Sequence, residues 1–271
     1  MAVLMQKKKK ITHFRPNVRS RHPSHQVLRE KLPLLPFKSI VRLGSTTDLG
    51  DNRVECNSIQ AIKNSADKLL MKRCFSGAEV KTASWISGIN NSVDIIYTFA
   101  KLNYPIIAKS RKGSRGEGNT KIDNKEQLDQ WFAGKNLELY IFEKFYTYSK
   151  EYRIHITKEG CFYTCRKLLK NDTPEAEQWH RHDENSVWIL EDNAKFMKPA
   201  NWNDIVADCV KALDSLGLDI GAFDVKTQGS LKENPEWIII ESCSAPSFGE
   251  ITGIKYVEQI PKILIDKYNK K

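Results

Sequence analysis

The segment EWIIIESCSAPS, residues 236–247, carries the feature from which the rest of the chain is understood. Its short apolar run, Trp237 to Ile240, predicts a strand over 236–243. Period-two alternation places Trp237, Ile239, Glu241 and Cys243 on one face. A carboxylate among such neighbours is expensive to bury uncompensated. A hard cation is a natural partner, since Mg²⁺ is commonly held by one or two carboxylates together with substrate phosphates. The preceding strand, predicted over 220–227, contains FDVKT and brings Asp224 to the same hairpin through a turn containing Gly229 and Pro235. On pattern alone the acids read either as a metal pair or as edge carboxylates in water.

Working outward, Pro105–Lys109 reads as a strand followed at once by RKGSRGEGN. Its glycines, Gly113, Gly116 and Gly118, with Ser114 between, allow backbone N–H groups to turn toward phosphate oxygens. Lys109 at the base supplies a point charge. No GK[ST] follows and no helix starts directly behind, so this is neither a P-loop nor a dinucleotide fingerprint. Taken alone it also reads as a flexible hairpin. Glu143 and Lys144 end an apolar strand predicted over 137–145, and Glu151 and Arg153 share a face at the start of the next. Free backbone groups after such a strand can take a flat base, and a nearby acid can hold ribose hydroxyls.

The periodicities predict a strand over 38–43 and helices over 57–73, 93–102, 123–132, 204–216 and 254–268. The helix over 204–216 carries an Ile205, Cys209, Leu213, Leu216 stripe. Asp123 with Glu126 resembles a capping box. A hairpin of 151–157 and 161–169 turns at Glu159-Gly160, and 170–185 is loop-like. Mixed strands, helices and hairpins without regular βαβ alternation argue α+β.

The order of these pieces is specific. NSADKLLMKR on a helix comes first, then PIIAKS with its glycine loop, YIFEKF, KEYRIHI, a helix, GAFDVKT and IIIESCSAPS. This resembles the ATP-grasp superfamily, most of all its carboxylate–amine ligase branch, which includes the ribosomal-protein glutamate ligases. The resemblance covers roughly residues 40–265, and Glu241-Ser242-Cys243-Ser244-Ala245-Pro246 is its most telling part. It implies two α+β lobes clasping a nucleotide, with a short N-terminal lobe. It also implies ATP and Mg²⁺, or Mn²⁺ in its place, as cofactors. Lys68 and Lys109 would contact phosphates, and the loop Gly113–Gly118 would fold over them. Glu143, Lys144 and Tyr146 would hold adenine through the hinge backbone, and Glu151 the ribose. Arg166 resembles a basic residue that contacts the γ-phosphate or an acyl phosphate. With Lys109 it forms the implied catalytic pair. Asn185 resembles an asparagine of the ligase branch. Asp224 and Glu241 match the metal carboxylates. The chain departs from the family at Cys243, where asparagine is usual, and a thiol is a poor ligand for hard Mg²⁺. Ser244 or a water could replace that asparagine.

Other residues carry weaker signals. His180 and His182 in a polar loop could orient a substrate or simply face solvent. Cys161 and Cys165 share a strand face as small core filler. The six cysteines show no CxxC pair, which argues against a zinc site or disulfide framework and fits a reducing, cytoplasmic setting.

The 271 residues carry a net charge of +10. Residues 1–45 hold eleven Lys and Arg against one acid, Glu30, so they account for all of it. With Pro16, Pro23, Pro33 and Pro36, residues 1–37 read as a basic arm for an acidic partner or as a solvated tail. Residues 38–104 then form a pre-ATP-grasp region and 105–271 the ATP-grasp domain, with a glycine-loop lobe over 105–146 and a metal-site lobe over 147–271. No apolar run approaches membrane-spanning length, and the lysine-rich start lacks the apolar stretch of a secretory signal. No membrane partner is therefore expected.

The implied function is an ATP-dependent carboxylate–amine ligase acting on small-molecule, peptide or protein substrates through an acyl phosphate. The substrate loops would be 45–56, 170–200 and 244–253. A kinase of the same fold, or a non-catalytic nucleotide-binding or interaction module, are the alternatives.

Overall fold

A computed structural model describes residues 12–16, 24–48, 50, 53–113, 116, 118–182, 184–230, 233–247 and 249–270. The chain opens with β1 (Thr12–Pro16), α1 (Ser24–Lys31), β2 (Ser39–Leu43) and β3 (Val54–Cys56). These strands pair in parallel in the order β1-β2-β3. The N-terminal lobe is therefore larger than the one clear strand suggested by the sequence. Residues 24–37, expected in the arm, are folded. Leu28, Leu35 and Phe37 are buried with Val41, Leu43 and three residues near the C-terminus, Tyr256, Ile260 and Leu264.

The helix expected over 57–73 is two helices, α2 (Ile59–Ala66) and α3 (Lys68–Gly77). Asp67 breaks them with extended backbone, φ −101° and ψ 113°. Its carboxylate accepts the Leu69 N–H at 2.9 Å, capping α3, and pairs with Arg111 at 2.6 Å. An aspartate is a good cap because it satisfies an orphan N–H of the first turn.

Next come β4 (Trp85–Ser87), α4 (Val93–Asn103), β5 (Ile106–Ser110), β6 (Thr120–Ile122), α5 (Lys125–Phe132) and β7 (Tyr140–Lys144). The four strands form an antiparallel sheet ordered β4-β7-β5-β6. Ile106, Ala108 and Phe142 pack there against Ile96 and Ala100 of α4 and Leu128 of α5. The cap of α5 is Asn124, not Asp123. Asn124 Oδ1 accepts the Gln127 N–H at 2.9 Å, and Gln127 Oε1 accepts the Asp123 N–H at 2.7 Å. The N-cap bond is thus one residue later than the sequence suggested, and Gln127 reaches back to the N–H of the residue before the cap rather than to that of the cap itself, as a capping box would.

The last lobe contains β8 (Lys150–Thr157), β9 (Gly160–Leu169), β10 (Ser186–Leu190), α6 (Trp202–Leu216), β11 (Ile220–Gln228), β12 (Glu236–Cys243) and α7 (Glu250–Asn269). Its sheet runs β10-β9-β8-β11-β12, every pair antiparallel. One face, with Tyr152, Ile154, Phe223, Val225 and Ile239, buries the expected α6 stripe of Ile205, Cys209, Leu213 and Leu216. The opposite face carries the polar groups. The architecture is α+β, as the sequence indicated. Among the described residues, no helix is long and apolar enough to cross a membrane.

Candidate nucleotide and metal site

A β-bulge aims the central carboxylate. Asp224 pairs with Glu241 but Val225 pairs with Ile239, leaving Ile240 over. Trp237 and Ile239 therefore turn toward the α6 core, while Glu241 joins Asp224 on the polar face. This corrects the strict alternation expected for 237, 239, 241 and 243. A bulge inserts one residue and re-aims the side chains beyond it.

Asp224 is buried and bound bidentately by Arg153, with Nε donating to Oδ1 at 2.7 Å and Nη2 to Oδ2 at 2.8 Å. Burial would raise the Asp224 pKa, and the guanidinium overcomes this and lowers it. Glu241 is half-buried and lies 3.2 Å from Lys68 Nζ. Lys68 opens α3, and its ammonium also donates to the Gly113 carbonyl at 2.6 Å. One cation thus ties the glycine loop to Glu241.

Lys109 donates to Glu143 Oε2 at 2.6 Å. The Glu143 side chain turns inward to this lysine, whereas a backbone role at the hinge was expected of this residue. At the hinge itself, Lys144 is exposed, and its N–H donates to Ser84 O at 2.9 Å. The Tyr146 hydroxyl is buried without a hydrogen-bond partner, and burial, with Glu236 adding, pushes its pKa up to about 12. Gly116 has φ +80°, and a Cβ there would lie 2.2 Å from His180 Cε1. Only glycine suits that backbone and that approach. Gly118 is also left-handed, at φ +74°. Ser114 lies outside the described residues.

Glu151 is buried among cations, with Arg181 at 3.7 Å and Lys167 at 4.0 Å. Lys226 pairs with it across the strands and lies 3.8 Å from the centre of the Tyr148 ring. Burial lowers the Lys226 pKa to about 8, against the pull of Glu151. His180 is brought down to about 4 by burial and by Lys167 and Lys226, which keeps the imidazole neutral. Asn185 is a scaffold for this loop: Oδ1 accepts the His182 N–H and Nδ2 donates to His180 O, each at 2.9 Å.

Arg166 lies on the other face of β9 from Lys167, within electrostatic reach of Arg181. It pairs with Tyr152, a residue of the α6-facing core, and donates to the Lys195 carbonyl. Strand alternation gives the polar face to Lys167 instead. The structure also brings in Lys72, Arg153, Arg181 and Lys226, to which the sequence pattern assigned no role. Lys72 is one helical turn beyond Lys68, and Lys226 is two residues beyond Asp224. Those spacings were the available signal.

Seven cations (Lys68, Lys72, Lys109, Arg153, Lys167, Arg181, Lys226) and four carboxylates (Glu143, Glu151, Asp224, Glu241) meet here. The surplus is three positive charges. With Gly116 and Gly118 in left-handed backbone and the buried Arg181 Nε lacking a hydrogen-bond partner, that surplus is suited to an anionic ligand such as a polyphosphate. The donor set fits a hard cation less completely. Asp224 and Glu241 are adjacent in register, but among the described residues no group of three His, Cys, Asp or Glu gathers as a metal cage. Two carboxylates suffice where phosphate oxygens and waters complete the shell, as is usual for Mg²⁺.

No family model and no curated protein matches the sequence. Solved structures match its fold. The chain superposes on a D-alanine–D-alanine ligase from Bacillus anthracis with TM-score 0.64 at 13% identity, covering 97% of this chain and 98% of that one. An N5-carboxyaminoimidazole synthetase from Staphylococcus aureus gives 0.64 at 14%, covering 95% and 77%. The ATP-grasp ligase PsnB in complex with a minimal precursor gives 0.55 at 12%, covering 80% of this chain and 64% of that one. This chain therefore spans less than two thirds of PsnB. The fold is the ATP-grasp fold.

Proposed function

We propose that this protein is an ATP- and Mg²⁺-dependent ligase that joins a carboxylate to an amine through an acyl phosphate. The observation that carries the proposal is the Lys68 bridge, which gathers the glycine loop, the α3 N-terminus and Glu241 at one point. Solved structures of similar fold include PsnB with Mg and ADP and the B. anthracis ligase with ATP.

In this reading Lys68 and Lys109 neutralise phosphate charge and orient the γ-phosphoryl group. Glu151 holds the ribose, and the hinge around Tyr146 holds the base. A substrate carboxylate oxygen attacks the γ-phosphorus, breaking its bond to ADP and forming the acyl phosphate. An amine nitrogen then attacks the acyl carbon, inorganic phosphate leaves, and the amine loses a proton as the amide forms. Glu241 and Asp224 would hold Mg²⁺, which supplies charge neutralisation at the phosphate oxygens. No side-chain nucleophile is needed, because positioning and electrostatics carry phosphoryl transfer. Substrate carboxylates and amines, small or borne on peptides, would enter from the segments 45–56, 170–200 and 244–253, within which β3, β10 and the start of α7 are regular elements rather than the loops expected from sequence.

A second reading, a nucleotide-binding module without turnover, is favoured by Arg153 occupying both Asp224 oxygens. Thermal melts with ATP and Mg²⁺, together with mass spectrometry of products from amino-acid, peptide and lysate pools, separate the two. The ligase is expected to gain about 2.7 kcal/mol at ligand one-hundredfold above Kd, lose most of that gain in Lys109→Ala, and release ADP with an amide product. Glu241→Gln is expected to stay folded and lose turnover. Full activity of Glu241→Gln would remove the site assignment. A melt shift with no product in any pool selects the module.

A further inference from the structure

Glu143 is held between two lysines, and only one of them is placed to meet a nucleotide. Lys109, at the base of the glycine loop, is 2.6 Å from Oε2. Lys72 is 2.9 Å from Oε1 and has no solvent-exposed surface. Lys72 Nζ also donates to Thr82 Oγ1, whose hydroxyl donates to the Ile239 carbonyl of β12 at 2.8 Å. The lysine is thus fixed from the neighbouring sheet and cannot swing toward a ligand.

Charge counting gives this arrangement a purpose. Burial would raise the Glu143 pKa, but the two lysines bring it down to about 2, so it stays ionised. One lysine would be cancelled by that carboxylate, whereas two leave one positive charge on the triad. We propose that Lys72 is a positioning residue of the nucleotide site: its ammonium is ion-paired with one oxygen of Glu143, so that Lys109 stays aimed and retains net charge for the phosphates. The proposal rests on the ATP-binding reading and adds a residue that touches no ligand.

Isothermal titration of the full chain with ATP and Mg²⁺ tests it, using Lys72→Met and the double variant Lys72→Met/Glu143→Gln, each checked for folding by circular dichroism. The single variant leaves Glu143 to cancel Lys109, and ATP affinity is expected to fall on the order of tenfold or more. The double variant removes the cancelling charge, and affinity is expected to recover about threefold or more over the single variant without reaching wild type, because the ion pair that aims Lys109 is lost, a non-additivity that marks coupled sites. If the single variant does not fold, the double decides. A folded double variant that binds ATP supports the proposal, and a folded one that does not overturns it. Wild-type affinity in Lys72→Met, or no recovery in the double, also overturns it. A wild type that binds no ATP removes the ATP-binding reading itself and this proposal with it, a result distinct from failure of the variants.

Discussion

Cys243 lies two residues beyond Glu241 on the polar face of β12, and its surroundings keep it a thiol. Burial pushes its pKa up to about 11; Arg153 pulls the other way, and Asp224 and Glu241 add to the rise. Near neutral pH it therefore offers a proton-bearing sulfur where an amide oxygen would suit Mg²⁺ better. Cys243→Asn is expected to lower the Mg²⁺ concentration needed for half-maximal turnover, and Cys243→Ala to change turnover by less than about threefold, since little coordination is lost. Titrating Mg²⁺ against product formation for wild type and both variants checks this. A collapse with alanine that asparagine does not rescue would show that the thiol has a task of its own. At this scale the sequence was legible where a residue type is rare in its setting, as with Lys109 before three glycines or Glu241 after three isoleucines. It left open a choice between two adjacent basic residues. Arg166 and Lys167 differ by one position, and only the β8–β9 register decides which of them faces the site.

Among the elements, hairpins and the long amphipathic helix were readable because their periods run over many residues. The breaks were not. Continuous helical spacing from Ile59 to Leu69 hides the stop at Asp67, which depends on Arg111 arriving from the end of the glycine-loop strand. The bulge at Ile240 is likewise set by the pairing with β11 and leaves no mark in the local pattern. Both breaks serve the site: one places Lys68 at the start of α3, and the other turns Glu241 out of the core. Asp67→Ala is expected to cost about 1–2 kcal/mol through the lost cap and to weaken ATP binding by loosening Lys68. Asp67→Asn keeps an acceptor for Leu69 N–H and is expected to cost less. Urea unfolding and ATP titration of the two variants measure this. Equal ATP affinity in wild type and Asp67→Ala would separate the helix break from the site.

Across the whole molecule, the N-terminal residues combine a run of charge with side chains of the core. Residues 1–10 include four consecutive lysines, Lys7–Lys10, and precede the first described element. Residues 24–37 send three side chains into the core. Leu28 is fully buried, Leu35 and Phe37 nearly so, and the Phe37 ring stacks on Tyr268 at 4.2 Å. Composition could not reveal this, because the charge and prolines of the segment dominate its average while its leucines act singly. Deleting residues 1–10 is therefore expected to leave the melting temperature and the ATP-induced shift unchanged, and to flatten the salt dependence of binding to any acidic partner. Deleting residues 1–37 removes three large buried side chains and uncovers Val41, Leu43, Tyr256, Ile260 and Leu264. Truncating a single large core residue commonly costs about 2–5 kcal/mol, and a domain has only about 5–15 kcal/mol in total. The longer deletion is thus expected to yield an unfolded or aggregated chain, and Leu28→Ala alone a clear drop in melting temperature. Circular dichroism melts with gel filtration of the three proteins decide the matter. A 38–271 fragment that melts like the full chain would show that α1 merely rests on α7 and that the lobe holds itself together through β2 and β3.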